Sequence, residues 1–413
     1  MNNKRVAIVG AGIIGVTTAY ELALKGFEVT VFDKNQTCSE ESSFANGGVI
    51  SPGYITPWAS PSIFKRLFKE QFAKHASILM NTPSLETVRW LSQSIKASKS
   101  ERYWRHRQAL QKLALMTQSR IRELIQSLGI EVEQTQGFNI IYRSERHFEL
   151  ATSSLPYLTD LGVPFQILDK MALQQKEPAI ESETAFVGAI HLPEDQVINC
   201  RQFALALRDE AERLGVKFEF KSTVEPLSAD NPKRLLVNAK PMFFDHVVVC
   251  SGMGSLKLLS ALHLPIPMTP VYGYSMTAII KEPLDAPKCG IMDEKYKVTI
   301  VRQGNRIRVG GIMEFGGDPK AHNPKAVKTL YKVLEDWFPK ATDMGQHIQI
   351  WKGARPMLPK GSPIVSATPH QGLWLNLGHG SSGWATSCGT AQVLANMMNQ
   401  DAPSTDWLEL GLA

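Results

Sequence analysis

The 413-residue sequence predicts an α/β protein in which a Rossmann-like, doubly wound domain carries an α+β domain inserted in two pieces. Three observations predict this fold: a strand, glycine turn, helix and strand within the first 34 residues, similar segments in the middle, and a second glycine-rich turn near the end. The length also favours two domains, because a single hydrophobic core rarely grows beyond ~250–300 residues.

The first pattern is typical of a dinucleotide-binding βαβ unit. An apolar run, Val6–Val9, leads into Gly10-Ala11-Gly12-Ile13-Ile14-Gly15 and a helix-like segment, and a second run, Glu28–Phe32, stops at Asp33. Phosphates bind at the N-terminus of such a helix, where unpaired N–H groups and the helix dipole favour an anion. The flanking strands make this reading stronger than a glycine pattern alone, whose other interpretation is a tight turn that binds nothing.

Each residue type in this turn has a mechanical role. Gly10 permits the tight turn, Gly12 lets the backbone approach a pyrophosphate, and Gly15 lets the helix pack closely on the strand. Asp33 is placed to accept hydrogen bonds from a ribose, and its charge would repel a 2′-phosphate. The unit therefore predicts FAD or NAD rather than NADP.

The C-terminal strand, Leu373–Leu377, runs into a glycine-rich turn, Gly378–Trp384, and then a helix to Met398. An NAD dehydrogenase does not need this second cradle, whereas a flavin dinucleotide does, because its reactive ring lies far from its adenine. A glycine-rich helix entry without a ligand is the alternative. FAD is thus the predicted cofactor, with expected contacts at Val9, Gly10, Gly12, Ile13, Ile14, Gly15, Asp33, Lys34, Ser43, Asn46, Gly47, Gly48, Val224, Ser251, Gly252, Gly378, His379, Gly380, Ser381, Ser382 and Gly383.

The strand-like run Phe244–Val249 also ends in small residues, Cys250-Ser251-Gly252, as expected at the carboxyl edge of a nucleotide-binding sheet. Because such segments occur at the start, middle and end of the chain, we expect a discontinuous cofactor domain. Its predicted pieces are 1–58, 197–265 and 345–413, and the predicted substrate domain comprises 59–196 and 266–344.

Composition narrows the function classes. The five cysteines are scattered singly, which predicts neither a metal site nor a disulfide framework and suits a reducing cytosol. The N-terminus runs directly into the first strand without an apolar signal core, so we do not expect export by the general secretory route. The basic residues accompany no recognised binding module, so no nucleic acid partner is predicted.

Positive charge is concentrated in a segment predicted to be helical, which runs from residue 60 to about residue 128. Residues 60–122 hold thirteen Lys or Arg against three Glu. At its start, Ile63–Lys74 interleaves aromatic and basic residues at helical spacing, a pattern that can lie on an anionic membrane face. The alternative is a solvated helix whose Phe side chains face the protein core.

Four residues are candidates for chemistry on an amino acid. Arg355 is the leading carboxylate clamp, because a guanidinium can grip a carboxylate with two hydrogen bonds, although it could be a surface arginine before a turn. Tyr274 and Tyr54 could add hydroxyl hydrogen bonds or be packed aromatics. His379 could contact the flavin, shuttle a proton or be structural.

The stretches Ala45–Tyr54, Arg306–Gly311, Arg355–Met357 and Leu373–Gly380 resemble the FAD-dependent D-amino acid dehydrogenases of the small-subunit type, within the glycine oxidase and D-amino acid oxidase fold group. The resemblance covers nearly the whole chain. It implies oxidative deamination of a D-amino acid to a 2-oxo acid and ammonia, with electrons passed to a quinone or respiratory acceptor. It also implies a cytoplasmic protein that is peripheral on the cytoplasmic face of the inner membrane.

Four positions depart from the family pattern: Val49 replaces Gln, Tyr272 replaces Lys, Ala354 replaces Leu and Ser381 replaces Thr. Fold and cofactor survive such changes, whereas the choice of substrate need not. Oxidation of glycine, sarcosine, D-proline or hydroxyproline therefore remains an alternative, as do a non-catalytic flavin-binding protein and an NAD dehydrogenase.

Overall fold

A computed structural model describes residues 4–60, 63–70, 73–81, 84–345, 347–401 and 404–412. The strands are β1 Arg5–Val9, β2 Glu28–Phe32, β3 Val49–Ile50, β4 Ile78–Met80, β5 Gln134–Tyr142, β6 Gln166–Leu168, β7 Gly188–Ile198, β8 Lys217–Glu219, β9 Arg234–Val237, β10 Lys240–Phe243, β11 His246–Val249, β12 Thr269–Ile279, β13 Gly290–Asp293, β14 Val298–Gln303, β15 Arg306–Phe315, β16 Gln349–Met357, β17 Ile364–Ala367 and β18 Leu373–Leu377. The helices are α1 Ile13–Leu24, α2 Ile63–Glu70, α3 Leu85–Ala97, α4 Ser100–Leu128, α5 Glu145–Thr152, α6 Pro156–Asp160, α7 Lys170–Lys176, α8 Cys200–Arg213, α9 Gly254–Leu258, α10 Pro324–Trp337 and α11 Gly383–Met398.

A six-stranded sheet has the order β17-β18-β11-β1-β2-β8, and all its neighbours are parallel except β17 and β18. The central strand β1 is buried on both faces, as its continuous apolar run predicts. Side chains of α1, α4, α8 and α11 form one core on this sheet, and the opposite core includes α9. The predicted doubly wound fold is confirmed, and the carboxyl ends of β1, β11 and β18 meet at one edge.

A ten-stranded mixed sheet has the order β16-β12-β15-β14-β13-β5-β7-β3, with β4 added beside β15 and β6 beside β7. Helix α10 packs its buried side on one face of this sheet, in a core with β12, β14 and β15. The opposite face carries a separate apolar cluster contributed by β5, β7 and the segment 148–165. This second face is open to the cavity described below.

Strand β16 lies in the ten-stranded sheet, where Thr269 to Thr277 pair with Met357 to Gln349 of β16 in antiparallel register. The sheet boundary in this part of the chain therefore falls after Met357, not at residue 345. The strand is half-buried along most of its length, so it lacks the alternating pattern that would have identified its sheet. The division into domains as a whole stays a prediction.

The segment predicted as helical from residue 60 to 128 is interrupted by strand β4, which pairs in parallel with β15. The carboxylate of Glu70 accepts hydrogen bonds from the backbone N–H groups of Ser77 (2.7 Å) and Ile78 (2.9 Å), which fixes the chain for this pairing. The helical prediction was therefore wrong at β4 because a tertiary pairing overrides local periodicity.

The basic aromatic segment begins as helix α2, and Gln71 and Phe72 lie outside the described residues. Arg66 Nη2 donates to Ser77 Oγ (2.7 Å) and to the carbonyl of Lys295 (3.1 Å), so this guanidinium is bound within the protein. Across the described ranges, no helix combines the length and apolarity needed to cross a membrane. Contact of this segment with a membrane stays a prediction.

Candidate functional site

A single cavity of ≈1190 Å³ is lined by residues of both sheets. It runs from the carboxyl ends of β1 and β11 to the open face of the ten-stranded sheet. Its volume exceeds the ~300–1,000 Å³ typical of pockets for small molecules. It therefore has room for more than one small ligand group.

The glycine turn after β1 is built as the sequence predicts. Gly10 has φ +109°, a left-handed conformation, and a Cβ on Gly15 would lie 1.8 Å from the Gly10 carbonyl oxygen. In contrast, a Cβ on Gly12 would meet only Ser43 Oγ, at 3.6 Å. Gly15 thus serves the packing of α1, whereas Gly12 lines the cavity with open space in front of it.

Asp33 is held by the backbone at the end of β2. Its Oδ2 accepts a hydrogen bond from the Ala11 N–H (2.7 Å) and its Oδ1 from the Asn35 N–H (2.8 Å). A carboxylate has about four acceptor positions, so each oxygen can take a further hydrogen bond from a ribose. Asp33 lines the cavity, in the position expected of a ribose acceptor.

Neighbouring residues predicted to contact the cofactor complete this end of the cavity. Ser43 Oγ accepts from the Ile13 N–H at the start of α1 (3.2 Å), and the exposed Lys34 pairs with Glu41 (2.9 Å). Ser251 Oγ donates to the Val9 carbonyl (2.9 Å), which ties β11 to β1. Val224 and Gly252 also line the cavity, and a Cβ on Gly252 would contact nothing within 4 Å.

The loop before β3 is fixed from both sides. Asn46 Oδ1 accepts from the Gly48 N–H (2.8 Å), and Trp384 Nε1 of α11 donates to the Gly48 carbonyl (3.0 Å). A Cβ on Gly48 would lie 2.6 Å from the Ile198 carbonyl oxygen, so Gly48 packs against β7. Asn46 and Gly47 line the cavity, whereas Gly48 and Gly15 do not.

The C-terminal turn forms the second cradle. Gly378 has φ +77° and Gly380 φ +56°, and a Cβ on Gly378 would lie 2.3 Å from Leu358 Cδ1. This turn lines the cavity from Gly378 to Gly383, where α11 begins. Both glycine cradles therefore open onto the same cavity, an arrangement that fits an extended flavin dinucleotide with its phosphates at one helix N-terminus and its ring near the other.

His379 is buried within this second cradle. Its Nε2 lies 3.3 Å from Thr390 Oγ1, and burial lowers the pKa of its imidazole to about 3. The ring is therefore neutral at physiological pH. It can donate or accept a hydrogen bond, but it does not supply a positive charge.

Arg355 is half-buried, with its guanidinium on the cavity wall. Its Nη1 donates to the Ile312 carbonyl (3.0 Å) and its Nη2 to the Gly311 carbonyl (3.3 Å). Among the described residues no Asp or Glu forms an ion pair with it, and burial lowers its pKa to about 10. A half-buried guanidinium on a cavity wall, without an anionic partner in the protein, is a strong site for a ligand carboxylate.

Tyr274 is buried, and its hydroxyl is hydrogen-bonded to other residues of the protein. Its hydroxyl donates to Glu314 Oε2 (2.5 Å) and accepts from the Asn323 N–H (3.0 Å). Glu314 also forms a buried ion pair with Lys352 (2.6 Å). Burial raises the pKa of Tyr274, and so does its bond to Glu314, so the hydroxyl stays protonated. Tyr274 lines the cavity, but its hydroxyl has both partners already.

Tyr54 is joined to two charged residues that sequence reasoning missed. Lys297 Nζ donates to Tyr54 Oη (2.8 Å) and to Glu294 Oε1 (2.5 Å), and all three side chains line the cavity. Burial raises the pKa of Tyr54, so its O–H hydrogen is retained and can be donated to a ligand while the oxygen accepts from Lys297. No local motif marks Lys297, because it meets Tyr54 across 243 positions of sequence.

The chain is similar to known flavoproteins along most of its length. Residues 5–397 match the model of the FAD dependent oxidoreductase family (DAO). Among solved structures, glycine oxidase from Geobacillus kaustophilus superposes with a TM-score of 0.76 at 22% identity, covering 100% of this chain and 99% of that chain. Glycine oxidase from Bacillus cereus ATCC 14579 gives 0.75 at 19% identity, with the same coverage.

L-proline dehydrogenase from P. horikoshii has a TM-score of 0.73 at 14% identity, covering 99% of this chain and 96% of that chain. At these identities the structural likenesses establish the fold alone. The predicted FAD-binding fold is confirmed, and the family match covers most of the chain.

Proposed function

The chain belongs to the FAD-dependent oxidoreductase family, and we propose that within this family it is a dehydrogenase that deaminates D-amino acids. The products would be a 2-oxo acid and ammonia, released when water hydrolyses the oxidised imino acid. When bound, FAD supplies the two-electron acceptor for the Cα–H bond of the substrate. An amino acid as substrate is supported by the site, and the D configuration by the sequence resemblance.

One observation supports an amino acid as the substrate. Arg355 is half-buried, faces the cavity and has only carbonyl oxygens as partners among the described residues. A carboxylate in front of it would relieve the cost of a buried unpaired charge through charge-assisted hydrogen bonds. A substrate with a carboxylate next to the reacting carbon is therefore favoured over a simple amine.

Other residues would orient the same substrate. The Tyr54 hydroxyl can donate a second hydrogen bond to the bound ligand, and Lys297 holds its oxygen in place. His379 is neutral and buried, so it would contribute shape and a hydrogen bond at the flavin end of the site. Transfer of electrons to a quinone or respiratory acceptor, at the cytoplasmic face of the inner membrane, belongs to the proposal on the strength of the resemblance.

The test is anaerobic reduction of the purified, FAD-loaded protein by a panel of D- and L-amino acids, proline analogues, glycine and sarcosine. We expect loss of the oxidised-flavin absorbance with D-amino acids and not with their L enantiomers. Reduction by L enantiomers, or by glycine or sarcosine alone, would overturn the assignment in favour of a related amine oxidoreductase. No reduction by any compound would favour a flavin protein without this activity.

A second measurement separates dehydrogenase from oxidase. With a reducing substrate in air, a dehydrogenase produces little peroxide until a quinone analogue is added. Peroxide formed in step with substrate would identify an oxidase. The variant Arg355→Met should weaken binding of the carboxylate substrate while leaving the flavin bound.

A further inference from the structure

The cavity continues beyond Arg355 along the open face of the ten-stranded sheet. Side chains alternate between the two faces of a strand. Phe138 and Ile140 of β5, with Ile190 and Leu192 of β7, belong to one apolar cluster, whereas Ile141 belongs to the core under α10. The first four residues all line the cavity.

Helices α5 and α6 face the same apolar cluster. Ala151, Leu155 and Leu158 from this helical segment contact it and also line the cavity. The cavity thus has an apolar lobe, which we define by Phe138, Ile140, Ile190, Leu192, Leu155 and Leu158. The sheet forms one wall of this lobe and the helical segment contributes to the other.

The lobe is continuous with the carboxylate clamp. Tyr54 packs on the apolar cluster, with its ring centroid 6.2 Å from that of Phe138, and its hydroxyl accepts from Lys297. The Lys297 carbonyl oxygen lies only 2.6 Å from where a Cβ on Gly311 would stand, and the Gly311 carbonyl accepts from Arg355. Tyr54, Lys297 and Gly311 therefore lie between the lobe and the guanidinium, and all of them line the same cavity.

Two charged residues at the edge of the lobe neutralise each other. Lys297 and Glu294 form an ion pair (2.5 Å), so neither offers an uncompensated charge to a substrate side chain. The six side chains that define the lobe are hydrocarbon, and the polar residues that line the cavity near α6 are Ser154 and Arg107, whose guanidinium lies 4.7 Å from the ring of Tyr157. Against the six apolar side chains, an apolar substrate side chain would gain about fourfold in affinity for each buried methylene.

We propose that the apolar lobe receives the substrate side chain, and that the protein prefers amino acids with a large apolar or aromatic side chain over alanine. This inference rests on the proposed function, because it assumes that Arg355 holds the carboxylate. The lobe then selects substrates by the apolar area of their side chains that it can bury.

The first test measures binding without turnover. Propionate and 3-phenylpropionate have the carbon skeletons of alanine and phenylalanine but lack the amine, so they cannot be deaminated. Their dissociation constants can be measured from perturbation of the flavin absorbance of the holoenzyme. We expect 3-phenylpropionate to bind at least about tenfold more tightly, and equal affinities would overturn the inference.

A pair of variants on α5 tests the location. Ala151 packs against the same apolar cluster as the lobe residues and lines the cavity, whereas the adjacent Leu150 is exposed. Ala151→Trp should weaken 3-phenylpropionate about tenfold or more and leave propionate unchanged, while Leu150→Trp should change neither. If Ala151→Trp weakens both ligands equally, or neither, the inference fails. Ala151→Leu provides a smaller filling substitution if the tryptophan variant does not fold.

Two further outcomes separate this inference from the proposed function. If 3-phenylpropionate binds selectively but no amino acid reduces the flavin, the proposed function fails and the lobe assignment stands. If D-alanine and D-phenylalanine reduce the flavin with equal kcat/KM, the function stands and the inference fails. If a naphthoquinone competes with 3-phenylpropionate but not with propionate, the lobe belongs to the electron acceptor and the inference is overturned.

Discussion

The guanidinium of Arg355 occupies the space that a side chain on Gly273 would need. A Cβ on Gly273 would lie 2.4 Å from Arg355 Nη2 and 2.6 Å from its Cζ. The two residues lie on the paired strands β12 and β16, where Arg355 pairs with Val271. The absence of a side chain at residue 273 therefore lets the guanidinium lie against the sheet and face the cavity.

Substitution Gly273→Ala should displace the clamp without removing the cofactor. The new methyl group cannot coexist with the guanidinium in its present position, so Arg355 must shift, and a shift of about 1 Å can cost about 100-fold in rate. We expect kcat/KM for the best amino acid to fall by about that factor, with unchanged flavin content. Steady-state kinetics and the ratio of flavin to protein absorbance measure both quantities.

Arg355→Lys tests the role of the guanidinium directly. A lysine cannot make two parallel hydrogen bonds to a carboxylate, so we expect kcat/KM for the amino acid to fall. Arg302→Lys is a matched control: Arg302 also donates to backbone carbonyls, of Gly304 (3.0 Å) and Pro283 (3.2 Å), but it does not line the cavity. Equal kinetic losses in the two lysine variants would contradict the role of Arg355.

Substitution of two glycines in the first turn should have different effects, one on FAD affinity and the other on folding stability. Gly12→Ala places a methyl group where only Ser43 Oγ is near, at 3.6 Å, so the protein should fold but bind FAD at least about tenfold more weakly. Gly15→Ala would place a Cβ 1.8 Å from the Gly10 carbonyl oxygen, and overpacking of this kind costs about 1–3 kcal/mol or more of folding stability.

Thermal unfolding of the apoproteins distinguishes these effects. The Gly12→Ala apoprotein should unfold near the wild-type temperature, and the Gly15→Ala apoprotein well below it. A Gly12→Ala variant that retains full flavin affinity would show that the backbone there does not approach the pyrophosphate.

The parts of the fold that were predictable are those that a local pattern determines. The turn at Gly10 needs its left-handed φ, and the burial of β1 on both faces needs its apolar run, so both are visible in a few consecutive residues. The same holds for the C-terminal cradle at Gly378. Each of these requirements is satisfied by neighbours in sequence.

The features that could not be predicted depend on partners far along the chain. Strand β4 forms because β15, more than 200 positions away, offers it a parallel edge. Lys297 enters the site because it meets Tyr54 and Glu294, and only the second is close in sequence. No period or motif in the sequence records such pairings, because they are fixed by packing of the complete fold.

The pH dependence of substrate oxidation should contain no ionisation of His379 near neutrality. Burial lowers the pKa of this imidazole to about 3, so it stays neutral from about pH 5 upward. We therefore expect His379→Gln to change the magnitude of kcat/KM but not the shape of its profile between pH 5 and 9. If the variant loses an ionisation that the wild type shows in that range, His379 does carry a proton during turnover.

The buried pair of Glu314 and Lys352 should stabilise the ten-stranded sheet in a pH-dependent way. Both side chains are only 3% exposed, and Glu314 also accepts from Tyr274 and from the amides of Asn81 (2.9 Å) and Asn323 (3.1 Å). Burial alone would raise the pKa of Glu314, but these hydrogen bonds more than offset it, so the pKa lies below its usual value. The folded state thus binds this proton less readily than the unfolded chain does.

Glu314→Gln leaves Lys352 buried without its anion, and breaking such a pair costs about 3–5 kcal/mol of unfolding free energy. Because the folded pKa of Glu314 is depressed, its contribution is fully present above the unfolded value of about 4.3 and is lost as the pH falls through the folded value. The free energies of unfolding of wild type and variant, measured with urea, should therefore differ widely at pH 7 and progressively less below pH 4. The double variant Glu314→Leu, Lys352→Met should recover part of the loss, because it leaves no unpaired charge. If the free energies of unfolding of wild type and Glu314→Gln differ as much below pH 4 as at pH 7, the pKa of the Glu314 carboxylate is not depressed.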